Sequence, residues 1–361
     1  MTTDKELQSK VIDFLRFPLI VGVIFIHNYG STANIPEMAS ITGHTPVYHI
    51  CSELFSHILG SVAVPLFFFI SGFLFFLNTD FSKQCYIKKL NSRVKTLLVP
   101  YLFWNISLLI FCFIISNIPL LSIFPNKDFE LSFRYVLEAL WRMSDKTHNA
   151  AGYPIATQFW FIRDLMVTVV LTPLIYLYVK KTHIYGILLL GIVWLSGRWF
   201  EFAGSCGLNV STLFFFTSGA WFSINRRNLI QDMTKVKCIS FITYPLIVII
   251  DLLTDNPVYG AGTIIGIIFW FNIGHSSVRT TSIEANRFLS ASSFFLFAVH
   301  TPWLLTPVKT MLFIWIKPVT DMALTSLYFL TVLIVVLTGL MLYYLLKRFA
   351  PAFTNVITGG R

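Results

Sequence analysis

An arginine and a histidine interrupt the apolar stretch at 13–27, DFLRFPLIVGVIFIH. Arg16 and His27 are eleven residues apart, which at about 100° per residue returns to within about 20° of one helix face, with a rise of roughly 16 Å between them. An ionisable group inside a membrane span is costly and faces the bundle interior or a wet cavity, so two on one face mark a polar shaft. A neutral imidazole at His27 can take a proton from an acceptor hydroxyl. The competing readings are a packed histidine bonded to a neighbouring helix and, for Arg16, a side chain that snorkels to the cytoplasmic interface. The rise between the two excludes an ion pair.

Other residues of chemical type surround this pair. Glu53 is the expected carboxylate partner of His27, because the outer end of the first helix and the start of the second lie level and a catalytic imidazole needs an orienter. Asp13 lies roughly 21 Å below and cannot serve. His49, Glu53 and His57 form an H-x3-E-x3-H stripe, but its histidines stand roughly 12 Å apart along a helix, too far to share one ion held at about 2 Å, and no metal is expected. Ser71 and Gly72 interrupt the aromatic wall VPLFFFISGFLFF, where small residues ordinarily permit close helix packing. The run KKLNSRVKTLLVPY supplies Lys88, Lys89, Arg93 and Lys95, either as ordinary topology signal or as a clamp for the phosphates of a nucleotide-bearing donor. QFWFIRDL carries Trp160, able to stack on a sugar face, with Arg163 and Asp164; adjacent residues on a helix do not face each other, so each is expected to pair elsewhere. AVHTPWL sets His300 before a proline kink. For these last residues, structural pairing and helix packing are the alternatives.

Composition identifies the scaffold. Apolar residues make up 55% of the 361 and charged residues 12%, and mean hydropathy is +0.71, which a soluble domain of this size could not hide from water. The fold class is therefore an all-α polytopic membrane helix bundle, a single transmembrane domain over 1–361 with its core at 11–348. Apolar runs of spanning length lie at about 12–30, 54–78, 97–118, 158–179, 183–200, 208–224, 238–253, 259–274, 289–315 and 322–346. They predict about ten transmembrane helices, within a range of nine to eleven. With the N-terminus inside, eighteen of the 27 Lys and Arg residues fall in cytoplasmic segments and seven, including Lys309, in outer ones, an asymmetry that puts both termini in the cytoplasm. The first ten residues are polar and no small-residue cleavage site follows the apolar run, so the first helix is read as retained.

The net charge of +10 has no nucleic-acid motif beside it, and no nucleic-acid partner is expected. Five cysteines, an odd number without C-x-x-C spacing, argue against a disulfide framework or a zinc site. Outer stretches 31–52 and 119–157 are expected to be non-helical apart from an interfacial helix in LSFRYVLEALWRM, and loops this long carry function or act as a lid. FFFISGF at 67–73 and FFFTSGA at 214–220 echo each other; in a chain with 36 Phe, coincidence is preferred to duplication.

Taken in order, these elements resemble the acyltransferase 3 family of integral-membrane acyltransferases. The matching parts are R-x10-H within DFLRF…IFIH, VPLFFFISGF at 64–73, the basic stretch ending RVKTLLVPY at 93–101, FWFIRDL at 159–165 and SFFLFAVHTPW at 293–303. The resemblance implies a ten-helix protein of a bacterial cytoplasmic membrane. It would move an acyl group, commonly acetyl, from cytoplasmic acyl-CoA to a hydroxyl of a carbohydrate or lipid-linked glycan at the outer side. It also implies His27 as the catalytic histidine and Arg16 as its companion. In this reading Lys88, Lys89, Arg93, Lys95 and Ser71 hold the donor, Trp160, Arg163, Asp164 and His300 face the acceptor, and membrane lipids surround the whole. The donor clamp departs from the family's R-x-x-R element, since Lys89 and Arg93 are four apart and Arg93 and Lys95 two. No appended hydrolase domain is expected, which leaves the acceptor to the membrane domain or a partner. An extended pantetheine arm spans a gap on the order of the Arg16 to His27 rise. His27 would then act by direct deprotonation or through an acyl-imidazole. The competing class is a secondary transporter or exporter of a lipid-linked glycan or small solute, which calls for internal pseudo-symmetry beyond the one echo. A purely structural scaffold would leave Arg16, His27, Arg163 and Asp164 as uncompensated costs.

Overall fold

Apolar runs that must satisfy every backbone polar group without water have only helices or closed barrels open to them. In the computed structural model the described residues are 4–29, 45–78, 80–116, 132–143, 152–200, 206–254, 259–280 and 286–360. Their regular structure is helical: α1 (Asp4–Asn28), α2 (Pro46–Phe76), α3 (Lys83–Ser116), α4 (Phe133–Trp141), α5 (Thr157–Val170), α6 (Thr172–Leu195) and α7 (Val210–Ile224). The order continues with α8 (Leu229–Lys235), α9 (Lys237–Leu253), α10 (Tyr259–Thr280), α11 (Arg287–Ile316), α12 (Asp321–Phe349) and α13 (Pro351–Thr358). Polar side chains start them where the sequence places them. Ser82, Asn209, Asn286 and Thr320 each accept a first-turn N–H. Asp321 also reaches the backbone N–H groups of Val47 and Tyr48, both at 2.8 Å, which seats the start of α2 against that of α12.

Five helices, α2, α3, α10, α11 and α12, are long and apolar enough to cross a membrane, or seven if the bent pairs α5–α6 and α8–α9 each count as one span. The shortfall from ten arises mainly in the middle of the chain. The run at 158–179 bends by 66° after Val170, where Pro173 restarts the helix. The runs at 158–179 and 183–200 meet inside α6 at His183, whose φ of 52° and ψ of −134° are not helical. α7 has fifteen residues, about 22 Å of helix. Of the stretches expected to be non-helical, 46–52 instead form the first turns of α2, while the short helix expected within 131–143 is present as α4; 30–44, 117–131 and 144–151 lie outside the described residues. Large apolar side chains such as Leu174, Ile192, Leu253 and Leu337 stand exposed on the exterior, a surface suited to lipid. The chain is an integral membrane protein.

α1 lies within the bundle, with Val11, Leu15 and Ile24 fully buried, and packs on α2, α10, α11 and α12. The two echoing segments meet where α2 and α7 touch. A Cβ on Gly72 would stand 1.9 Å from the Phe216 carbonyl oxygen, and one on Gly219 would stand 1.9 Å from that of Phe69, so neither position admits a side chain. The helices run parallel, because Ser223 Oγ, one turn after Gly219, donates to the Phe73 carbonyl at 2.6 Å.

Candidate active site

Pro302 cannot continue the hydrogen-bond ladder of α11, and the chain passes 300–304 as a wide π-type turn with Thr301 extended at φ −134°, ψ 142°. Gln158, buried at the start of α5, donates to the carbonyls of Ala298 and Thr301 at 3.2 and 2.5 Å and so satisfies groups loosened by the break. The fully buried His300 lies against His27, with ring centroids 5.1 Å apart and planes at 55°. Its Nδ1 is 2.7 Å from the Phe297 carbonyl oxygen. A carbonyl only accepts, so Nδ1 carries the proton and, in the neutral ring, Nε2 presents a lone pair. That Nε2 is buried without a hydrogen-bond partner among the described residues.

The last turn of α1 is fixed from three helices. Ser56 Oγ donates to the Phe25 carbonyl at 2.6 Å and pairs with Tyr328 Oη at 2.6 Å. Asn28 Nδ2 donates to the Tyr328 carbonyl at 3.0 Å, and Lys309 Nζ donates to the Asn28 carbonyl at 2.8 Å. Lys309, read from the sequence as an outer-segment charge, is only 4% exposed; it supplies a cation to the C-terminal end of α1, where the helix dipole favours one. Sequence reasoning missed this contact, and the lone basic residue in the apolar run of α11 was its only signal.

One turn below the imidazoles lies a cavity of about 180 Å³. Val23, four residues before His27, and Phe297, three before His300, line it together with Arg16, Ser71 and Arg93. Three residues singled out by type thus meet at one place. Arg16 is also paired with Asp13 at 2.9 Å. The rest of the basic run separates. Lys88 and Lys95 are exposed and outside this lining, and Lys89 donates to the Phe75 carbonyl at the end of α2 while standing 5.0 Å over that residue's ring.

Glu53 differs from expectation. Its carboxylate accepts from Tyr29 Oη at 2.8 Å, and Tyr29 meets His57 edge to face at 4.1 Å; the ring recorded against His27 is His300. Among the described residues no group of three His, Cys, Asp or Glu side chains could hold a metal ion.

Arg163 and Asp164 correct a second expectation. They pair with each other, Nε to Oδ1 at 3.0 Å and a terminal nitrogen to Oδ1 at 2.9 Å, with both side chains 1% exposed. Adjacent Cβ atoms diverge on a helix, but the long arginine side chain folds back to its neighbour. The other terminal nitrogen donates to the carbonyls of Trp141 and Gly152 at 2.9 and 2.7 Å, fastening α4 and the segment before α5. Tyr101 adds a bond to the Leu140 carbonyl, and Asn105 Oδ1 accepts from Ala156 N at 3.1 Å. Trp160 packs near Phe68 and Tyr153, at 6.2 and 6.1 Å. None of Trp160, Arg163 and Asp164 lines the cavity.

Comparison with known proteins gives the family of the chain. Over 374 aligned residues the chain is 25% identical to the succinoglycan biosynthesis protein ExoH of Rhizobium meliloti (strain 1021), covering 98% of this chain and 92% of that protein. No solved structure matches it. The acyltransferase-domain family matches residues 10–345. That match begins in α1 and ends in α12, so it encloses both imidazoles, both cavity arginines and the Arg163–Asp164 clamp, and the chain belongs to the acyltransferase 3 family.

Proposed function

We propose that this protein is an O-acyltransferase of a bacterial cytoplasmic membrane. It carries an acyl group, acetyl being the simplest, from cytoplasmic acyl-CoA to a hydroxyl of a carbohydrate or lipid-linked glycan at the outer side. Both termini are cytoplasmic and the chain crosses the membrane about ten times, the short and bent apolar helices counting as spans. The observation that carries this reading is the His27–His300 contact one turn above a cavity lined by Arg16 and Arg93. The arginines attract the donor's phosphates, and the pantetheine arm rises through the cavity. Similarity to a succinoglycan biosynthesis protein favours a glycan acceptor.

In the reaction His27 takes the acceptor's hydroxyl proton as the oxygen attacks the thioester carbonyl. The carbon–sulfur bond breaks, and the proton passes to the departing thiolate, leaving an ester and free CoA. His300, its tautomer set by Phe297, packs against the His27 ring and orients it by that contact. Tyr29 and Glu53 sit at the outer end of α1, where an acceptor would arrive, and Arg163 with Asp164 holds the outer segment in place. The test compares surface glycans by mass spectrometry from cells bearing wild type and His27→Ala. The variant is expected to accumulate normally and its glycans to lose one acyl group per modified unit. Unchanged acylation would refute the assignment.

A further inference from the structure

The donor's nucleotide end needs a larger binding place than the basic run supplies, since only its Arg93 lines the upper cavity, Lys88 and Lys95 are exposed away from it and Lys89 caps α2. We propose that the second, larger cavity, beside the N-terminal part of α1, binds the 3′-phosphorylated adenosine diphosphate end of acyl-CoA. The proposal rests on the donor reading above and names the nucleotide subsite.

The cavity measures about 640 Å³, within the roughly 300–1,000 Å³ of small-molecule sites. Its lining brings cations together from two parts of the chain, Lys180 on α6 and Arg226 and Arg227 after α7, against the acid Asp80, with Arg227 already held by Asp232 at 2.7 Å so that Lys180 and Arg226 carry the proposal. Such an excess of ammonium and guanidinium groups suits a ligand with several phosphates. One wall is aromatic: Phe81 and Tyr176 have centroids 4.9 Å apart at 31°, and Lys180 Nζ stands 5.9 Å over the Tyr176 ring. A flat purine can stack on such a wall while a neighbouring cation takes a phosphate. Arg226 is bridged to Asp80 at 2.9 Å, but the two side chains are 83% and 94% exposed. An ion pair that open contributes little, so a phosphate can replace Asp80 at small cost.

The length of the donor fits the two cavities. Gln8 lines the lower one and Arg16 the upper, eight residues or about 12 Å apart on α1. Leu74 lines the upper cavity and Phe76 and Leu77 the lower, so both open against the end of α2. Pantetheine, about twelve bonds from phosphate oxygen to sulfur, extends about 15 Å at the spacing of an extended chain, close to the roughly 16 Å rise from Arg16 to His27. With the nucleotide in the lower cavity and the diphosphate approaching Arg16 and Arg93, the thioester arrives beside the imidazoles. The phosphate of an anionic lipid headgroup shares part of this chemistry, and the experiment separates the two.

The experiment measures binding of labelled acetyl-CoA and of 3′,5′-ADP to the purified full-length protein in nanodiscs of neutral lipid, for wild type, Lys180→Glu and Arg226→Glu. Both ligands are expected to bind wild type and to compete. Each variant should weaken both by about tenfold or more, while binding of acetylpantetheine, which lacks the nucleotide, stays within about twofold. Arg226 lies at the open surface, so its substitution does not threaten folding. Equal binding of acetyl-CoA by wild type and both variants would overturn the subsite and leave the donor reading standing. Absence of acetyl-CoA binding to wild type would overturn the donor reading itself. Failure of 3′,5′-ADP to compete, with anionic lipid co-purifying with wild type but not with the variants, would assign the cavity to a lipid headgroup.

Discussion

Two pairs of ionisable residues inside the bundle are treated in opposite ways. In the Arg163–Asp164 pair the guanidinium contacts the carboxylate through two nitrogens and two backbone carbonyls through the third. In the His27–His300 pair one ring has its Nδ1 satisfied and its Nε2 buried without a partner among the described residues, above a cavity. Leaving a buried acceptor unpaired costs about 1–3 kcal/mol. A fold retains such an atom most readily where a substrate or a mobile proton completes it. Burial alone therefore does not separate chemistry from architecture; the completeness of the hydrogen bonding does.

Removing one member of the complete pair should give the largest effect, on stability. Asp164→Ala leaves a buried guanidinium without its counter-charge, and breaking such a pair costs about 3–5 kcal/mol. The detergent-solubilised protein should melt well below wild type, while acyl transfer per folded molecule stays near normal. Normal melting with lost transfer would move this pair to the reaction and erase the contrast. His300→Phe should show the reverse. It removes the unpaired Nε2 but also the Nδ1 bond to the Phe297 carbonyl, and keeps an aromatic ring in place, so stability should fall by about 1 kcal/mol, well short of the Asp164 loss, while turnover falls about 100-fold. A KM shift with unchanged turnover would make His300 an acceptor contact instead of the orienter of His27.

Much of this arrangement was legible from residue types. Composition determines the membrane class, helical spacing puts Arg16 and His27 on one face, and Ser71 and Gly72 announce close helix packing, though not that the echoing segment on α7 is the partner that Gly72 and Gly219 meet. What escaped depends on chain reversals and side-chain reach. His300 meets His27 because folding brings α11 beside α1, and no spacing rule reaches across elements so far apart in sequence. The pairing of Arg163 with Asp164 escaped because the spacing rule describes the direction of Cβ atoms, not the reach of a long side chain. The basic run resolves into one cavity residue, one helix cap and two exposed lysines, a distinction that depends on neighbours contributed by other helices.

Glu53→Gln should have the smallest effect and is the sharpest test of which group orients His27. Level placement of the helix ends favours Glu53, yet its carboxylate accepts from Tyr29 Oη at 2.8 Å, and the ring beside His27 belongs to His300. Glutamine keeps an oxygen able to accept from Tyr29 and removes only the charge. If the carboxylate stabilises an imidazolium at His27 during proton transfer, its loss should reduce turnover about 100-fold or more, in the manner of a triad carboxylate. With His300 as the orienter, turnover should fall less than about threefold, about 0.6 kcal/mol in barrier height, and combining Glu53→Gln with His300→Phe should add no more than that to the single His300 loss, since distant and unshared roles combine additively. Initial rates for the two single variants and the double variant decide between them, and a large Glu53 effect that vanishes in the His300→Phe background would show that both act through the same proton.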